Sequence, residues 1–571
     1  MQLRTMIAYD LETTRIKAGE TPRPLYLTAF CDTWACSARV QDTAHLRELL
    51  EARFLVPEFN RCRFVAWNGN NFDVYLIAQA LLASDAVIIR PYLTRSKNLR
   101  GMKIIAKRGK DAKGRALWWE FLDGISMTGL TATTLKKFLA TFAPEYQKLE
   151  GPDFEREEFN ADNPDHVRYA ERDSEGLYWG MQKAEQIVRD NFGVGLQPTV
   201  GNLGIKIFQG RMPRDVTIWT PSLLCLNAIR GQVLRGGFCS LARKFNGPIW
   251  KYDLNQAYAA AMRDARLPAG RCYWSPSRPN PYARVYISRV EGTNQRNVIP
   301  FYFRDMEGTR GDALEKLPPT WLTSIEINQL RAEGWQLTVG ETYYWDDDFS
   351  MKDFVTELEA LRGASDGGPS GAQGTMIKMI GNNAYGKTVE RLDGVELVMA
   401  LDCPEGFSAY QAEDDRLNYV WFRFGAPALR DYHQPQLGSF ITAHVRMVVR
   451  RAILQAPHAW LYADTDCVAF TEPVTLPIDP VKYGAWKCEN AGTEFYLIAK
   501  KVYADQSSGK IHAKGMNVKR LTMEQMRAWH AGTSPEQVQT QRQNFVKFVG
   551  GGPMFAERRK VGQRFAAPSA R

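Results

Sequence analysis

Two pairs of carboxylates stand out by their spacing. In Tyr462-Ala-Asp464-Thr-Asp466-Cys467, two Asp lie one residue apart between the apolar runs 458–462 and 467–470. Such a stretch reads as strand, tight turn, strand. Carboxylates this close raise each other's pKa unless a cation sits between them. Hard divalent ions such as magnesium are held by one or two carboxylates plus substrate phosphates, which suits the pair. Near the other end of the chain, Asp10 and Glu12 fall within 5–14, a strand-like run whose period of two puts both on one face. Taken singly, the first pattern reads more readily as an Asx-rich turn and the second as a solvated edge strand.

Elements further along supply partners for each pair. The apolar run 64–67 leads into Asn68-Gly-Asn-Asn-Phe72-Asp73, and 74–82 reads as an apolar helix with Asp73 near its N-terminus. Asn163-Pro164-Asp165 opens another helix, with Asp165 expected as its N-cap and Tyr169 and Asp173 on one face four residues apart. Asp10, Glu12, Asp73 and Asp173 are thus four carboxylates from three elements. Such a set can hold two metal ions, activate a water that Tyr169 orients, and stabilise the leaving 3′-oxygen of a phosphodiester.

Around the second pair, 249–253 reads as a strand ending at Asp253, followed by a helix entry. Residues 351–362 form an amphipathic helix pattern, 363–374 a Gly-rich flexible tip, and 375–386 a returning helix. Lys378, Asn382 and Tyr385 share a face of that helix, offering a cation for triphosphate oxygens and a ring for a base or sugar. The same stretch satisfies a Walker A pattern, Gly381 to Gly386-Lys387-Thr388, so a P-loop NTPase is the rival from another class. A P-loop must open a substantial helix, whereas 388–392 runs straight into Asp393-Gly394. Residues 198–204 read as a loop and domain boundary. Leu234-Arg235-Gly236-Gly237 reads as a turn in which backbone approaches something closely.

At 571 residues the chain exceeds one core and should divide into several domains. A hydrophobic fraction of 44% excludes a disordered chain. The nine Cys include no CxxC pair and no His stands at zinc-ligand spacing, so no zinc site is expected and the thiols read as reduced and cytosolic. No run of 18 apolar residues exists and the N-terminus enters a strand-like stretch at once, so neither a membrane span nor a signal peptide is expected. The net charge is +10, and 519–571 holds ten Lys/Arg against three Asp/Glu. A basic end on a near-balanced body suggests a polyanionic partner.

The three amino-terminal motifs, in order, resemble the DEDDy-type 3′→5′ exonuclease domain. Thr134-Leu135-Lys-Lys-Phe138 resembles that family's single-strand contact motif, and Asn68 and Phe72 would touch the displaced 3′ end. Downstream, 234–238 resembles the YxGG linker of family B DNA polymerases, with Leu234 in place of Tyr and with Arg235, Gly236 and Gly237 implied as DNA contacts. Asp253 to Tyr258 resembles motif A, with Gln256 for Ser and Tyr258 implied as the gate against a ribose 2′-OH. Lys378, Asn382 and Tyr385 resemble the nucleotide-binding motif B, with Asn383 for Ser. The Asp464–Asp466 turn resembles motif C, with Cys467 for Ser. Lys501 and Tyr503 resemble the KxY primer grip. The resemblance implies an α/β, α+β multidomain chain: an RNase H-like exonuclease followed by a right-hand palm, fingers and thumb. It also implies two Mg²⁺ (or Mn²⁺) at each active site, held by Asp10, Glu12 and Asp173 and by Asp253, Asp464 and Asp466, with dNTP substrates and primer-template and single-stranded DNA as partners.

The chain is short for family B and lacks a Cys-rich C-terminal module, and so looks like the protein-primed polymerases of small bacteriophages and linear plasmids. Those carry two insertions, one docking a terminal protein and one promoting strand displacement. The gaps here, 125 residues (378 minus 253) and 86 (464 minus 378), have room for both. The expected division is exonuclease 1–193, palm 194–264, first insertion 265–350, fingers 351–390, second insertion 391–436, palm 437–518 and thumb 519–571. A monomer in the host cytoplasm, free of membranes, is expected. A primer-independent family B polymerase and a DNA-binding relic are the alternatives, and seven intact carboxylates argue against the relic.

Overall fold

The computed structural model describes all residues except 1–4, 16–21, 94–98, 152–156, 278–279, 391–393, 410–418, 426–429, 515, 517, 519–520, 534–539, 550–551 and 561–571. At Asn71 and in 540–549 and 552–560 it describes the backbone alone. Parts of the expected second insertion and thumb therefore lie outside the described residues.

Strands Met6–Thr13 (β1), Pro24–Cys31 (β2) and Trp34–Arg39 (β3) form an antiparallel meander, and helix Thr43–Arg53 (α1) follows. Strand Arg63–Ala66 (β4) leads to helix Asp73–Leu82 (α2), strands Val87–Leu93 (β5), Leu99–Lys110 (β6) and Ala116–Asp123 (β7), and helices Gly124–Thr128 (α3), Leu135–Phe142 (α4) and Pro164–Phe192 (α5). The sheet order β5-β6-β7-β4-β1-β2-β3 puts β1 inside the sheet, parallel to β4. Its run Met6–Tyr9 is buried without alternation, as strands covered on both faces are, so the edge-strand alternative fails. Helix α5 lies across β1 and β2, and Thr28 of β2 meets Ser174 of α5 at 2.7 Å. Asn163, not Asp165, caps α5: its side chain accepts the Asp165 N–H at 2.9 Å. Pro164 occupies the first helical position, so the cap must precede it.

Residues 198–204 are a second correction. Helix Val200–Gly210 (α6) begins inside them, capped by Thr199. Gly204 is there for contact rather than for a turn, since a Cβ would stand 2.6 Å from the Ile380 carbonyl of the helix packed against it. Helix Leu223–Ala228 (α7) and a π-turn, Ile229–Val233, lead to strands Phe238–Leu241 (β8) and Phe245–Leu254 (β9), then helix Ala257–Asp264 (α8). Strands Leu267–Ser275 (β10), Tyr286–Thr293 (β11), Phe301–Arg304 (β12), Arg310–Ala313 (β13) and Lys316–Thr323 (β14) precede helix Ser324–Ala332 (α9) and strand Gln336–Phe349 (β15). They form a four-stranded sheet, β10-β15-β11-β14, with β12 and β13 paired beside it. Helices Lys352–Gly363 (α10) and Ala372–Thr388 (α11) then pack as a hairpin.

Strands Val395–Met399 (β16), Ser408–Ala409 (β17) and Val420–Phe424 (β18) join the first sheet in the order β17-β18-β16-β5, with Met399 opposite Ile89, extending it to ten strands. Helix Pro435–Ile453 (α12) is buried almost all round, Arg446 and Arg450 included. Strands Trp460–Thr465 (β19), Cys467–Phe470 (β20), Trp486–Ala499 (β21), Val502–Asp505 (β22) and Ile511–Ala513 (β23) complete a seven-stranded antiparallel sheet, β23-β22-β21-β9-β20-β19-β8. Helix Met523–His530 (α13) packs on β21, and strands Thr540–Val549 (β24) and Gly552–Lys560 (β25) form a hairpin. Buried apolar side chains from the ten-stranded sheet, α6, α11, α12 and the seven-stranded sheet make one continuous cluster. Among the described residues, no helix is long and apolar enough to cross a membrane.

Two candidate active sites

The first cleft opens over β1 and is lined by Asp10, Glu12, Trp67, Leu135, Lys148, Tyr169 and Asp173. The strand period delivers Asp10 and Glu12, and one turn of α5 delivers Tyr169 and Asp173. Asp73 sits beneath them, buried, where its carboxylate accepts the Leu11 N–H at 3.2 Å. Burial, then the Asp173 charge, lifts Asp10 to about 7. Burial with the Asp10 and Asp173 charges lifts Glu12 to about 9. Asp73 and Asp173 are raised as well, chiefly by burial. A divalent cation would relieve acids raised in this way, although among the described residues no three of them converge closely enough to hold one between them.

Sequence reasoning missed three residues here. Lys148, from the loop before α5, pairs with Asp173 and lies 4.5 Å from the centre of the Tyr169 ring. Burial works against its charge, but Asp173 and Tyr169 outweigh it and hold the ammonium. Gly151 lets the chain lie on that ring, where a Cβ would stand 2.1 Å from it. Asp123 is a fifth, fully buried carboxylate; one oxygen binds Ser126 and burial raises its pKa. Of the expected single-strand contacts, Asn68 is exposed and left-handed (φ 64°), and Phe72 is half-buried. Leu135 lines the cleft, while Thr134 caps α4 at its rim.

The second cleft is lined by Asp253, Gln256, Tyr258, Lys378, Asn382, Asn383, Tyr385 and Asp466. Strand β9 carries Asp253 to the cleft and α11 presents Lys378, Asn382 and Tyr385 opposite. The Tyr258 and Tyr385 rings stack with centroids 4.5 Å apart. Burial, then Asp466 and Glu489, lifts Asp253 to about 6, with Lys251 and Lys378 pulling it down. Asp466 is raised chiefly by burial.

Asp464 departs from expectation. It does not line this cleft: its carboxylate takes Lys501 Nζ at 2.5 and 2.6 Å and the Tyr462 hydroxyl at 3.1 Å. A carboxylate with one nearby ammonium turns to it. Asp253 and Asp466 are brought together, and Asp464 stands one residue away on the Lys501 side. Among the described residues, no three carboxylate, His or Cys side chains converge on one point. Asp253 and Asp466 alone still suit an ion that takes one or two carboxylates plus substrate phosphates. Tyr503 stacks on His512 at 4.7 Å and neighbours Tyr462.

Arg235 is a correction. Its side chain is fully buried, bound to Glu326 at 2.5 Å and to the Tyr302 carbonyl at 2.7 Å, so it cannot reach DNA. Arg446 of α12 shares Glu326 and also binds the Arg235 carbonyl at 2.7 Å. Gly237 is held against the Asp464–Asp466 turn, where a Cβ would stand 2.6 Å from Thr465, while Gly236 faces open space. Among the described residues, five non-glycine residues have positive φ: Arg61, Asn68, Gln256, Thr465 and Lys501. Gln256 lines the second cleft and Thr465 stands between Asp464 and Asp466, in the kind of surroundings where backbone strain commonly collects.

The Walker A reading fails in space. Gly381 to Thr388 lies inside the continuous helix α11, whose backbone amides bond within the helix, and Lys387 pairs with Glu390 at 2.5 Å.

The family model for DNA polymerase type B, organellar and viral, matches residues 153–409. A search of curated proteins returns no match. Among solved structures, Phi29 DNA polymerase complexed with primer-template DNA and incoming nucleotide substrates aligns at TM-score 0.75 and 16% identity, over 99% of this chain and 100% of that one. The same polymerase with primer-template DNA aligns at 0.71 and 17% identity, over 98% and 100%. With single-stranded DNA it aligns at 0.69 and 16%, again over 98% and 100%. At such identities the likeness is one of fold.

Proposed function

We propose that this chain is a type B DNA polymerase, in which the second cleft performs template-directed DNA synthesis and the first removes nucleotides from the 3′ end. One observation carries the reading: Asp253 and Asp466 face Lys378, Asn382 and the Tyr258–Tyr385 stack across a single cleft. Lys378 would bind triphosphate oxygens, and the stacked rings would pack under the sugar, where Tyr258 excludes a 2′-OH. Lys501 and Tyr503 would grip the primer end. Magnesium or manganese, held by Asp253 and Asp466 with Asp464 as neighbour, would make the primer 3′-OH a better nucleophile and neutralise the pyrophosphate leaving group. In the first cleft, Asp10, Glu12 and Asp173 would hold the corresponding ions, with Tyr169 orienting the attacking water.

The division into exonuclease, palm, fingers, two insertions and thumb belongs to the same proposal. So do initiation from a terminal-protein hydroxyl and action as a monomer in a host cytoplasm. The four-stranded block β10–β15 and the β16–β18 strands occupy the two long gaps between motifs, which supports the protein-primed reading.

The test uses a 5′-labelled primer on a longer template with Mg²⁺, with and without dNTPs. Asp253→Ala should lose extension by at least about 10³-fold and still shorten the primer, and Asp10→Ala/Glu12→Ala should do the reverse. Absence of extension by the wild-type chain refutes the reading.

A further inference from the structure

Nine free cysteines are scattered along the sequence, yet the fold brings Cys225 and Cys272 together, Sγ to Sγ at 3.8 Å across 47 residues. Cys225 lies on α7 and is fully buried; Cys272 lies on β10 and is partly exposed. Burial of the first and access to the second are the geometry of a resolving thiol behind a reactive one. The hydrogen bond between the two sulfurs, and then burial, keep the Cys225 thiol protonated.

We propose that Cys225 and Cys272 are an oxidative modification site that closes to an intramolecular disulfide when the chain meets a peroxide. Hydrogen peroxide takes two electrons from the Cys272 thiolate: the S–O bond forms, the O–O bond breaks, and the second oxygen leaves as water once protonated. The Cys225 sulfur then attacks the sulfenic sulfur; its proton leaves with the hydroxyl as a second water, and the S–S bond forms. The sulfurs must approach by roughly 1.8 Å to reach a bond of about 2.05 Å, a shift of side chains that already touch.

The bond would anchor α7 to the four-stranded sheet. Residues 229–237, which run from α7 to the close approach at Thr465, would then start from a fixed point.

The full-length protein, fully reduced, is treated with hydrogen peroxide, quenched in acid and mapped by mass spectrometry without reduction. The expected result is a peptide linking Cys225 to Cys272 within one chain, a fall from nine free thiols to seven, and recovery of nine with dithiothreitol. Cys225→Ser and Cys272→Ser should each abolish the linked peptide. The wild-type map stands alone if either variant misfolds. Sulfinic acid on Cys272 with Cys225 still free overturns the proposal. So does cross-linking between chains through the exposed Cys403 or Cys488 with no 225–272 peptide.

Discussion

Lys148 and Lys501 play matching parts, each laying its ammonium on one carboxylate of a crowded set. Lys148→Ala should reduce primer shortening by at least about tenfold and leave extension unchanged, as measured on labelled primer with and without dNTPs. In the other cleft, Lys378→Ala should weaken dNTP binding more than Lys387→Ala, because Lys387 is paired with Glu390 outside the cleft. Nucleotide titration of single-turnover extension reads the difference, and the reverse order removes α11 from the proposed nucleotide site. The acids predict a pH effect. Asp10 at about 7 and Glu12 at about 9 bind protons more tightly folded than unfolded. Their contribution to stability is full below about pH 4 and is lost as pH rises through 7 and 9. In a chelator the melting temperature should therefore fall across that window, and Mg²⁺ should flatten the fall. Most of these carboxylates were legible because strand and helix periods place them. Lys148 and Asp123 were not, because their contacts depend on where a loop and a neighbouring strand return.

At the scale of elements, the buried Arg235–Glu326–Arg446 group fastens three segments: the turn before β8, the start of α9 and the middle of α12. Removing one partner leaves buried charge uncompensated, so Glu326→Ala should cost about 3–5 kcal/mol in urea unfolding. Cores read from sequence rarely include such groups, since an Arg beside two Gly reads as a DNA contact. The same limit hid the start of α6. Pro198 and two glycines looked like a loop, but Gly204 is small because α11 lies on it. The helix hairpin 351–388, by contrast, followed directly from its apolar spacing and Gly-rich tip.

Across the whole molecule, nothing local foretold that β16 would pair with β5, more than three hundred residues earlier. Long-range pairing leaves no period to read. Under the proposed reading, replacing 395–424 by a short Gly/Ser link should abolish synthesis through duplex DNA while primer extension on single-stranded template persists. A gapped-circle assay beside a simple primed template distinguishes the two.

That pairing also works as a leash. Only six residues, 389–394, separate the end of α11 from the start of β16. Stretched fully, they reach roughly 20 Å. While Met399 stays opposite Ile89, the C-terminal end of the helix bearing Lys378 is held within roughly that reach of β16, a strand inside the ten-stranded sheet. Any greater separation would first break the β16–β5 pairing, so a helix of one cleft is tethered to a strand belonging to the other cleft's sheet.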